Sequence, residues 1–536
     1  MSSHARASAI IGAGTLVSRL TGLVRSIMLI SVVGLTTSNA ADAFTTANML
    51  PTNIYELLAA GVITGIIVPQ IVRAAQHHDG GSAYISKLLT LGTVLLVVAT
   101  IVVLAMAPVL IWIYAPGYGP DQRALTLALA YWCLPQLLFY GLYALIGEVL
   151  NARRVFGPYS WAPTVNNLVS IAGFGVFLLV FGGPFTDVLQ WDASMIALLG
   201  GTATLGIGLQ AGVLAFFWRR TRLTIHADFH WRNMGLRHLG MLAFWTFVTV
   251  VVGQVAGAVQ QAVISTATDI SGPAVFLTAW LIFMLPHSVV AMSISTTYFT
   301  QLAEQVSQDR TDLVQGNLDE SIRALSVFAF GFMAALAAAS VPVAVFFTGE
   351  RTGAPLLALN VCAFLIALVP FGVMVIVRRA FFAFNDTRTP FRFALAQAIV
   401  TAAGAVLAFV VVHSGLLPLA FLSATVAFTQ SLAMFVQLPI ALRLLRRHTG
   451  DISFSATWRA LGRFAVASVP AFIVGLGIFL LTGAASGWTV HNRLTGFLGT
   501  ALVGGASIAV YIGMLALLRA PELAVGLRAL RRFPKR

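Results

Sequence analysis

Two arginines, Arg19 and Arg25, lie inside the first apolar stretch of the sequence, between residues 8 and 34. An arginine near the centre of a bilayer costs roughly 2.5–3.5 kcal/mol on insertion scales, so it normally faces a water-filled cavity or an ionic partner. The guanidinium group can bind a phosphate through two parallel hydrogen bonds. The pair therefore indicates an anionic cargo, or acidic neighbours that neutralise the charge.

The spacing of the two arginines allows them to share one cavity. Six residues of α-helix advance about 9 Å and rotate by about 120°, so both side chains can border a cavity at different depths. Ser18, Thr21 and Gly22 lie beside them and would permit close helix approach. The alternative is that each arginine forms an ion pair that stabilises the bundle, or that Arg25 lies at a displaced helix end.

Three acidic residues, Asp42, Glu56 and Glu148, are also predicted at membrane depth or at its margins. Asp42 and Glu56 are the candidate ionic partners of the arginines. Asp42 fits the N-cap of a second helix as well as a gating or pairing role. Glu56 and Glu148 suit proton carriage, although pairing or snorkelling to the membrane interface is the more common role of such residues.

The second span carries two further candidates. Pro51 is expected to kink or break the helix, which exposes backbone groups that are tolerated only beside protein or a cavity. Asn48 lies one turn before it. The sequence thus gives two sets of candidate residues: Arg19, Arg25, Asp42 and Asn48 for substrate binding, and Pro51, Glu56 and Glu148 for gating or pairing.

The composition places these residues in a membrane protein. The chain has 536 residues, of which 58% are hydrophobic and 9% charged, and its mean hydropathy is +0.89. About 20 apolar residues in a helix cross the hydrocarbon core, and windows of that length lie near 8–34, 44–70, 84–110, 124–150, 160–182, 193–218, 238–259, 274–300, 323–347, 354–379, 391–413, 416–442, 461–483 and 495–519. The sequence therefore predicts an all-α polytopic membrane protein with about 14 transmembrane helices. The second and eighth windows are the weakest hydropathy peaks.

Basic residues predict the orientation, because Lys and Arg in short loops stay on the cytoplasmic side. With the N-terminus in the cytoplasm, most of the 32 basic residues fall on the inner face. Arg123, Arg351 and Arg493 fall on the outer face, and Arg19 and Arg25 remain in the membrane. Both termini are therefore predicted to be cytoplasmic.

The net charge of +14 is spread over short cytoplasmic segments. It is not gathered on one folded surface of the kind that binds nucleic acid, so no nucleic-acid partner is expected. Anionic lipid headgroups are the expected partners, above all for the basic tail at 528–536.

The sequence contains no catalytic constellation. It has no Walker loop, no His or Cys set with metal-ligand spacing, and no nucleophile with a plausible base. Cys133 and Cys362 lie far apart within predicted spans, so neither a disulfide nor a metal site is expected. We expect no enzyme activity and no cofactor, and we expect transport to draw on a gradient or the membrane potential.

The chain repeats itself at an offset of about 235 residues. Leu50 and Pro51 correspond to Leu285 and Pro286, and Pro135 corresponds to Pro370. An offset of six spans keeps both copies in one orientation, and transporters with such parallel repeats hold cargo between two lobes that rock. The predicted domains are an N-terminal six-helix lobe at 1–220, a second six-helix lobe at 221–443, and spans 13 and 14 with a basic tail at 444–536.

Several motifs resemble the MurJ (MviN) family of lipid II flippases. They are SRLTGLVR at 18–25, ADAF at 41–44, LP at 50–51, Asn151, FGP at 156–158 and WAPTVNN at 161–167. The runs LPQLLFYG at 134–141 and WLIFMLP at 280–286 look more like actinobacterial members. The resemblance extends over the whole length and is most specific in the first 170 residues.

The resemblance implies the multidrug/oligosaccharidyl-lipid/polysaccharide exporter fold, with two lobes around a cationic cavity and a groove for a lipid tail formed by the last two helices. It implies a bacterial plasma-membrane protein that carries lipid II, an undecaprenyl-pyrophosphate bearing a disaccharide-pentapeptide, to the outer leaflet by alternating access. The family's two cavity arginines correspond to Arg19 and Arg25, and its span 2 aspartate corresponds to Asp42.

The sequence departs from the family pattern at two places. Many members carry further arginines after the span 2 Leu-Pro and before the span 8 proline, where this chain reads TNIYE at 52–56 and AWLIF at 279–283. Two other transporters therefore remain as alternatives: a flippase for another polyprenyl-linked glycan, and a drug/cation antiporter of the same fold. A further alternative is a scaffold that transports nothing and recruits cell-wall synthesis proteins.

Overall fold

The computed structural model describes residues 3–60, 81–153, 155–230, 236–268, 270–308, 310–450 and 454–523. Within these ranges the chain forms helices and connecting turns, and no β-strand. The chain divides into two compact units, Met1–Asp269 and Ile270–Arg536. The all-α fold class predicted from the sequence is confirmed.

The helices of the first unit are built from apolar runs with polar ends. They are α1 (Ser3–Val33), α2 (Asn39–Leu58), α3 (Ser82–Ala105), α4 (Ala107–Tyr114), α5 (Pro120–Cys133), α6 (Gln136–Ala152), α7 (Phe156–Val180), α8 (Ala193–Phe216) and α9 (Leu236–Ile264). The Ser38 hydroxyl accepts a hydrogen bond from the Ala41 N–H and caps α2. Asp192 caps α8 in the same way.

The second unit continues the pattern. Its helices are α10 (Pro273–Ser307), α11 (Thr311–Ala338), α12 (Ser340–Thr348), α13 (Ala354–Leu365), α14 (Leu368–Ala383), α15 (Arg388–His413), α16 (Leu422–Thr449), α17 (Ser455–Leu481) and α18 (Arg493–Leu517). Asn492 and Thr495 form a reciprocal capping box at the start of α18.

The membrane-spanning helices follow the hydropathy windows. In the described ranges, 11 stretches are long and apolar enough to cross a membrane, and the pair α13 and α14, bent by 44°, makes up to 12. The two expected spans that do not pass adjoin residues that are not described: α2 ends at Leu58, before residues 61–80, and α10 contributes the shorter apolar stretch Pro273–Ser288, after which side chains are not described. The structure is consistent with 14 spans without establishing that number.

Helix breaks recur at matching places in the two units. In the first unit α3 gives way to α4 at Met106, and α5 gives way to α6 at Leu134 and Pro135. In the second unit the corresponding breaks lie at Ala339, between α11 and α12, and at residues 366–367, between α13 and α14. The predicted repeat therefore has a structural counterpart in the breaks of the third and fourth spans of each half.

The first unit extends beyond the predicted lobe boundary at residue 220. It includes α9, the seventh span, which packs against α2 and α4. By sequence offset α9 corresponds to α1 and opens the second half of the repeat. The division into three domains is predicted from the repeat, and it stays a prediction. By its contacts, α9 belongs to the first unit.

An extended strap, residues 222–230, follows α8 and lies along the first turns of α3. Alternate backbone N–H groups of the strap donate to hydroxyls that are four residues apart on α3. The pairs are Thr224 with Ser82 (3.2 Å), His226 with Ser86 (3.4 Å) and Asp228 with Thr90 (3.1 Å). Two extended residues advance about 6.6 Å and four helical residues about 6 Å, so the two repeats stay in register.

Candidate functional site

A cavity of about 520 Å³ lies beside Arg19, within the first unit. It is formed by α1, α6 and α7, and its volume falls in the range of roughly 300–1,000 Å³ that is typical of ligand pockets. Its lining residues are Thr15, Ser18, Arg19, Tyr143, Asn151, Phe156, Tyr159, Ser160 and Pro163. Arg19 is the charged member of this set, so the cavity favours an anion.

Close packing of α1 on α7 fixes the position of Arg19. The Asn167 side chain donates to the Ser18 carbonyl oxygen at 2.8 Å and to the Thr21 hydroxyl at 3.1 Å. A Cβ added at Gly14 would approach the Trp161 indole nitrogen to 2.9 Å, so glycine is required for this approach. The asparagine and the small residues around Arg19 therefore hold the two helices together on one side of the cavity.

Two tyrosines, Tyr143 and Tyr159, also line the cavity. The rings of Tyr143 and Tyr159 stack with their centroids 5.1 Å apart, and the Tyr143 hydroxyl donates to the Tyr159 carbonyl oxygen at 3.0 Å. Glu148, half-buried on α6, lies within electrostatic range of Tyr159 and of Tyr55. Glu148 is not among the residues that line the cavity.

Arg25 occupies a different face of α1. It is partly buried and lies within electrostatic range of Cys133 and Tyr140, on either side of the break between α5 and α6. It is not among the lining residues of the Arg19 cavity, which agrees with a rotation of about 120° between the two positions. Within the described part of the chain, no carboxylate lies within 4.0 Å of the Arg25 guanidinium.

Asp42 is buried in the first turn of α2, with a relative exposure of 1%. It is not the N-cap, because the helix begins earlier than the predicted 44 and Ser38 takes that role. The Thr268 hydroxyl donates to the Asp42 carboxylate at 2.7 Å, and the Tyr118 hydroxyl donates to the Asp42 carbonyl oxygen at 3.0 Å. Gln122 donates to Thr268 at 2.7 Å and extends the network to α5.

Three polar contacts join α2 to α9 and the turn that follows it. They are Asp42 with Thr268 (2.7 Å), Thr46 with Gln261 (3.2 Å) and Glu56 with Gln254 (2.8 Å). Gln254 and Gln261 are seven residues apart, which places them on one face of α9. Thr268 follows seven residues later, in the turn after the helix. The contacts at Asp42 and Thr46 are buried, whereas Glu56 is exposed. The junction between α2 and α9 is therefore buried at its Asp42 end and exposed to solvent or lipid at its Glu56 end.

The remaining candidates of span 2, Asn48 and Pro51, lie among packed helices. The Asn48 side-chain oxygen accepts a hydrogen bond from Gln136 at 3.1 Å, which ties α2 to the start of α6. Pro51 is buried inside α2, which continues through it to Leu58. Of the predicted kink or break at Pro51, the break is wrong: the helix continues on the intrahelical hydrogen bonds that a proline leaves in place.

Several charged side chains of the second unit pair with one another. Glu522, 8% exposed, lies 3.2 Å from Arg323 and 3.6 Å from Arg463. Arg323 also pairs with Asp319 at 2.8 Å. Asp386, in the turn between α14 and α15, lies 2.9 Å from His448 near the end of α16. Burial raises the pKa of the Asp386 carboxyl, but hydrogen bonds from Thr389 and His448 outweigh it and bring that pKa below its ordinary value.

Sequence reasoning missed the neutral half of the site. Tyr143, Tyr159 and Thr268 carry no charge, and tyrosine in an apolar span is unremarkable by itself. The available signal was spacing: Tyr140 and Tyr143 are one turn apart on α6, and Gln254, Gln261 and Thr268 recur every seven residues.

The family model described as "Lipid II flippase MurJ" matches residues 33–498 of the sequence. That match covers most of the chain. The chain belongs to the MurJ family.

Several MurJ relatives match over part of their length. A probable lipid II flippase MurJ of Rhizobium tropici is 27% identical over 301 residues, covering 55% of this chain and 54% of the relative. Another, of Rhizobium meliloti, is 25% identical over 399 residues and covers 72% of each chain. The chain thus spans about half the length of the first relative and nearly three quarters of the second.

The MurJ fold is also seen in the solved structures that this chain resembles. A structure described as "Lipid II flippase MurJ, inward closed conformation" has a TM-score of 0.74 at 18% identity and covers 95% of this chain and 98% of that one. An inward-facing multidrug resistance MATE family transporter of the MOP superfamily has a TM-score of 0.64 at 15% identity, with 82% and 96% covered. These similarities show that this MurJ-family chain shares the fold of both structures.

Among the described residues of this MurJ-family chain, no group of three or more His, Cys, Asp and Glu side chains could hold a metal ion. The positions after Pro51 and before Pro286, at 52–56 and 279–283, hold neutral or acidic residues. Arg19 therefore carries the positive charge of the cavity in the first unit.

Proposed function

We propose that this chain moves lipid II from the cytoplasmic to the outer leaflet of the bacterial plasma membrane, with the pyrophosphate held by Arg19. The observation that carries the proposal is the position of Arg19, near the middle of α1 and on the wall of a cavity of about 520 Å³. A guanidinium group matches phosphate oxygens with two parallel hydrogen bonds. Arg25, less than two turns further along on another face of α1, lies outside this cavity, and we propose it as a second cationic position that the anion meets at another stage of its passage.

Alternating access is the mechanism we propose for this movement. In support of it, the fold resembles MATE family transporters solved in inward-facing and outward-facing conformations. The junction between α2 and α9 supplies an element that can move, because it is buried at Asp42 and exposed at Glu56. We propose that α9 pivots about the buried end, with Asp42 and Asn48 holding α2 in place.

The proposed topology places both termini in the cytoplasm, following the distribution of basic residues. Anionic lipids are proposed partners of the basic tail at 528–536, which lies outside the described residues. Cell-wall synthesis proteins are proposed as further partners, since a flippase passes its cargo to the enzymes that polymerise it.

The drug/cation antiporter is the weaker candidate. Such a transporter needs a carboxylate in the cavity, and neither Glu56 nor Glu148 belongs to the lining set that contains Arg19. A flippase for another polyprenyl-pyrophosphate glycan uses the same cationic site, so cargo has to be tested directly. A scaffold without transport activity has no use for a cationic cavity of this size.

Complementation of a bacterium depleted of its own lipid II flippase tests the proposal. We expect the full chain to restore growth and to lower the lipid II that accumulates in the inner leaflet. A second arm measures uptake of another undecaprenyl-pyrophosphate glycan and of a lipophilic cation by vesicles containing the purified chain. If a well-expressed chain does not restore growth but transports a compound in the second arm, lipid II is not the cargo, and the transported compound takes its place in the proposal.

A further inference from the structure

The cavity beside Arg19 is longer than a pyrophosphate alone requires. Two of its lining residues, Tyr143 and Asn151, are eight residues apart on α6, which corresponds to about 12 Å along the helix. Tyr143 lies towards the middle of the helix, and Asn151 lies in its last turn. The cavity therefore has a second end, formed where α6 finishes and α7 begins, that the anion does not fill.

The second end of the cavity has the aromatic and polar side chains that are typical of a sugar-binding site. Phe156 and Tyr159 present aromatic rings, whose faces pack against the C–H faces of a pyranose. Ser160 supplies a hydroxyl beside them. A lipid tail would leave these polar groups without partners, and Arg19 is the one cation among the described lining residues.

Asn151 is the residue that decides the chemistry of this end. It is half-buried, and its side-chain amide makes no hydrogen bond to any residue in the described part of the chain. A primary amide offers two donors and an acceptor, which match the carbonyl and N–H of an acetamido group. An amide in this position gains little from an apolar ligand and much from a polar, neutral one.

We propose that Asn151, Phe156 and Tyr159 form a saccharide subsite that takes the N-acetylated amino sugar attached to the pyrophosphate. The inference rests on the proposed function, because the sugar is placed by the pyrophosphate at Arg19. It adds a specificity determinant: Arg19 binds the charged pyrophosphate, and the subsite binds the first sugar. Undecaprenyl-pyrophosphate without sugar would engage only the Arg19 end.

Binding to the purified full chain in nanodiscs, followed by native mass spectrometry, tests the subsite. The two probes are lipid II and undecaprenyl-pyrophosphate, and the variants are Asn151→Ala, Tyr159→Ala and Arg19→Gln. Tyr131→Ala is the matched control, since Tyr131 is 47% exposed on α5 and outside the cavity. Melting of each variant in the same nanodiscs shows whether it is folded.

We expect Asn151→Ala and Tyr159→Ala each to weaken lipid II binding by about fivefold to tenfold and to leave undecaprenyl-pyrophosphate binding unchanged. Arg19→Gln should weaken both probes. If folded Asn151→Ala and Tyr159→Ala bind both probes like the control, or lose both equally, the subsite is wrong and the flippase proposal stands. If the unmodified chain binds neither probe, the proposed function itself fails.

Discussion

In the first unit Arg19 lies near the middle of α1 beside a cavity, whereas in the second unit Glu522 lies between Arg323 and Arg463 after α18 has ended. The charges of this cluster neutralise one another, which is the usual way in which a protein tolerates buried ions. Among the described residues that line the Arg19 cavity, none is acidic.

The difference separates two uses of charge in a membrane protein. A buried ion pair fixes helices and contributes little to ligand binding, because each charge already has its partner. A cation at the wall of a cavity can also bind the phosphate oxygens of a ligand through two parallel hydrogen bonds. The comparison therefore predicts that substitutions in the second unit change stability, whereas substitutions at the cavity of the first unit change transport.

Thr268→Val should produce the largest loss of stability. It removes the hydrogen bond to the buried Asp42 carboxylate and the acceptor of Gln122, so we expect the free energy of unfolding to fall by about 3 kcal/mol. Thermal unfolding of the detergent-solubilised chain measures the effect. Thr425→Val is the control, since that exposed hydroxyl bonds only within its own helix. Equal melting of both variants would show that Asp42 does not depend on Thr268.

Glu522→Gln should rank second. It removes the charge that holds Arg323 and Arg463, which are themselves partly exposed, and we expect a loss of about 2 kcal/mol. The same melting experiment measures it, with transport per folded molecule determined in parallel. Unchanged transport supports the division between the units, and a transport defect in a chain that melts normally would argue against it.

Thr90→Val should have a smaller, local effect. It removes the acceptor for the Asp228 N–H in the strap, and we expect a loss of about 1 kcal/mol. Hydrogen exchange measured on the strap peptide should be faster in this variant. Thr249→Val serves as control, because its hydroxyl bonds only to the carbonyl of Trp245. Unchanged exchange in the strap would mean that the hydroxyl ladder on α3 does not hold it.

Gln254→Ala should be the mildest. The contact with Glu56 is exposed, so we expect a change of about 0.5 kcal/mol or less in stability. If the Glu56 end of the junction opens during transport, Gln254→Ala should change the transport turnover rate while the melting temperature stays nearly unchanged. A loss of stability equal to that of Thr268→Val would contradict the graded junction.

The sequence was sufficient for the parts of the fold that depend on local composition. Hydropathy located the spans, and the weak peaks are the two places where the described helices do not pass as simple spans. It did not locate Ser38 as the cap of α2, because the helix begins outside the apolar window. A break at Pro51 does not occur, since α2 continues through the proline, which is buried.

The site was predicted only where charge marked it. Arg19 stood out because a cation is costly in an apolar helix. Thr268, the partner of Asp42, lies 226 residues away and carries no charge, and nothing in either neighbourhood identifies the contact. Tyr143 and Tyr159 form the cavity wall through the packing of α6 on α7, which pattern alone does not specify.

The central claim is that Arg19 holds the pyrophosphate of the cargo. Transbilayer movement of fluorescent lipid II in proteoliposomes tests it, with the unmodified chain, Arg19→Gln and Arg220→Gln compared at equal amounts of folded protein. Arg220 is an exposed arginine that lies over the Phe217 ring at 4.6 Å, outside the cavity. We predict that Arg19→Gln slows movement by about tenfold or more, through loss of a charge-assisted contact, while Arg220→Gln moves lipid II at the unmodified rate. Movement by Arg19→Gln at the unmodified rate would contradict the claim.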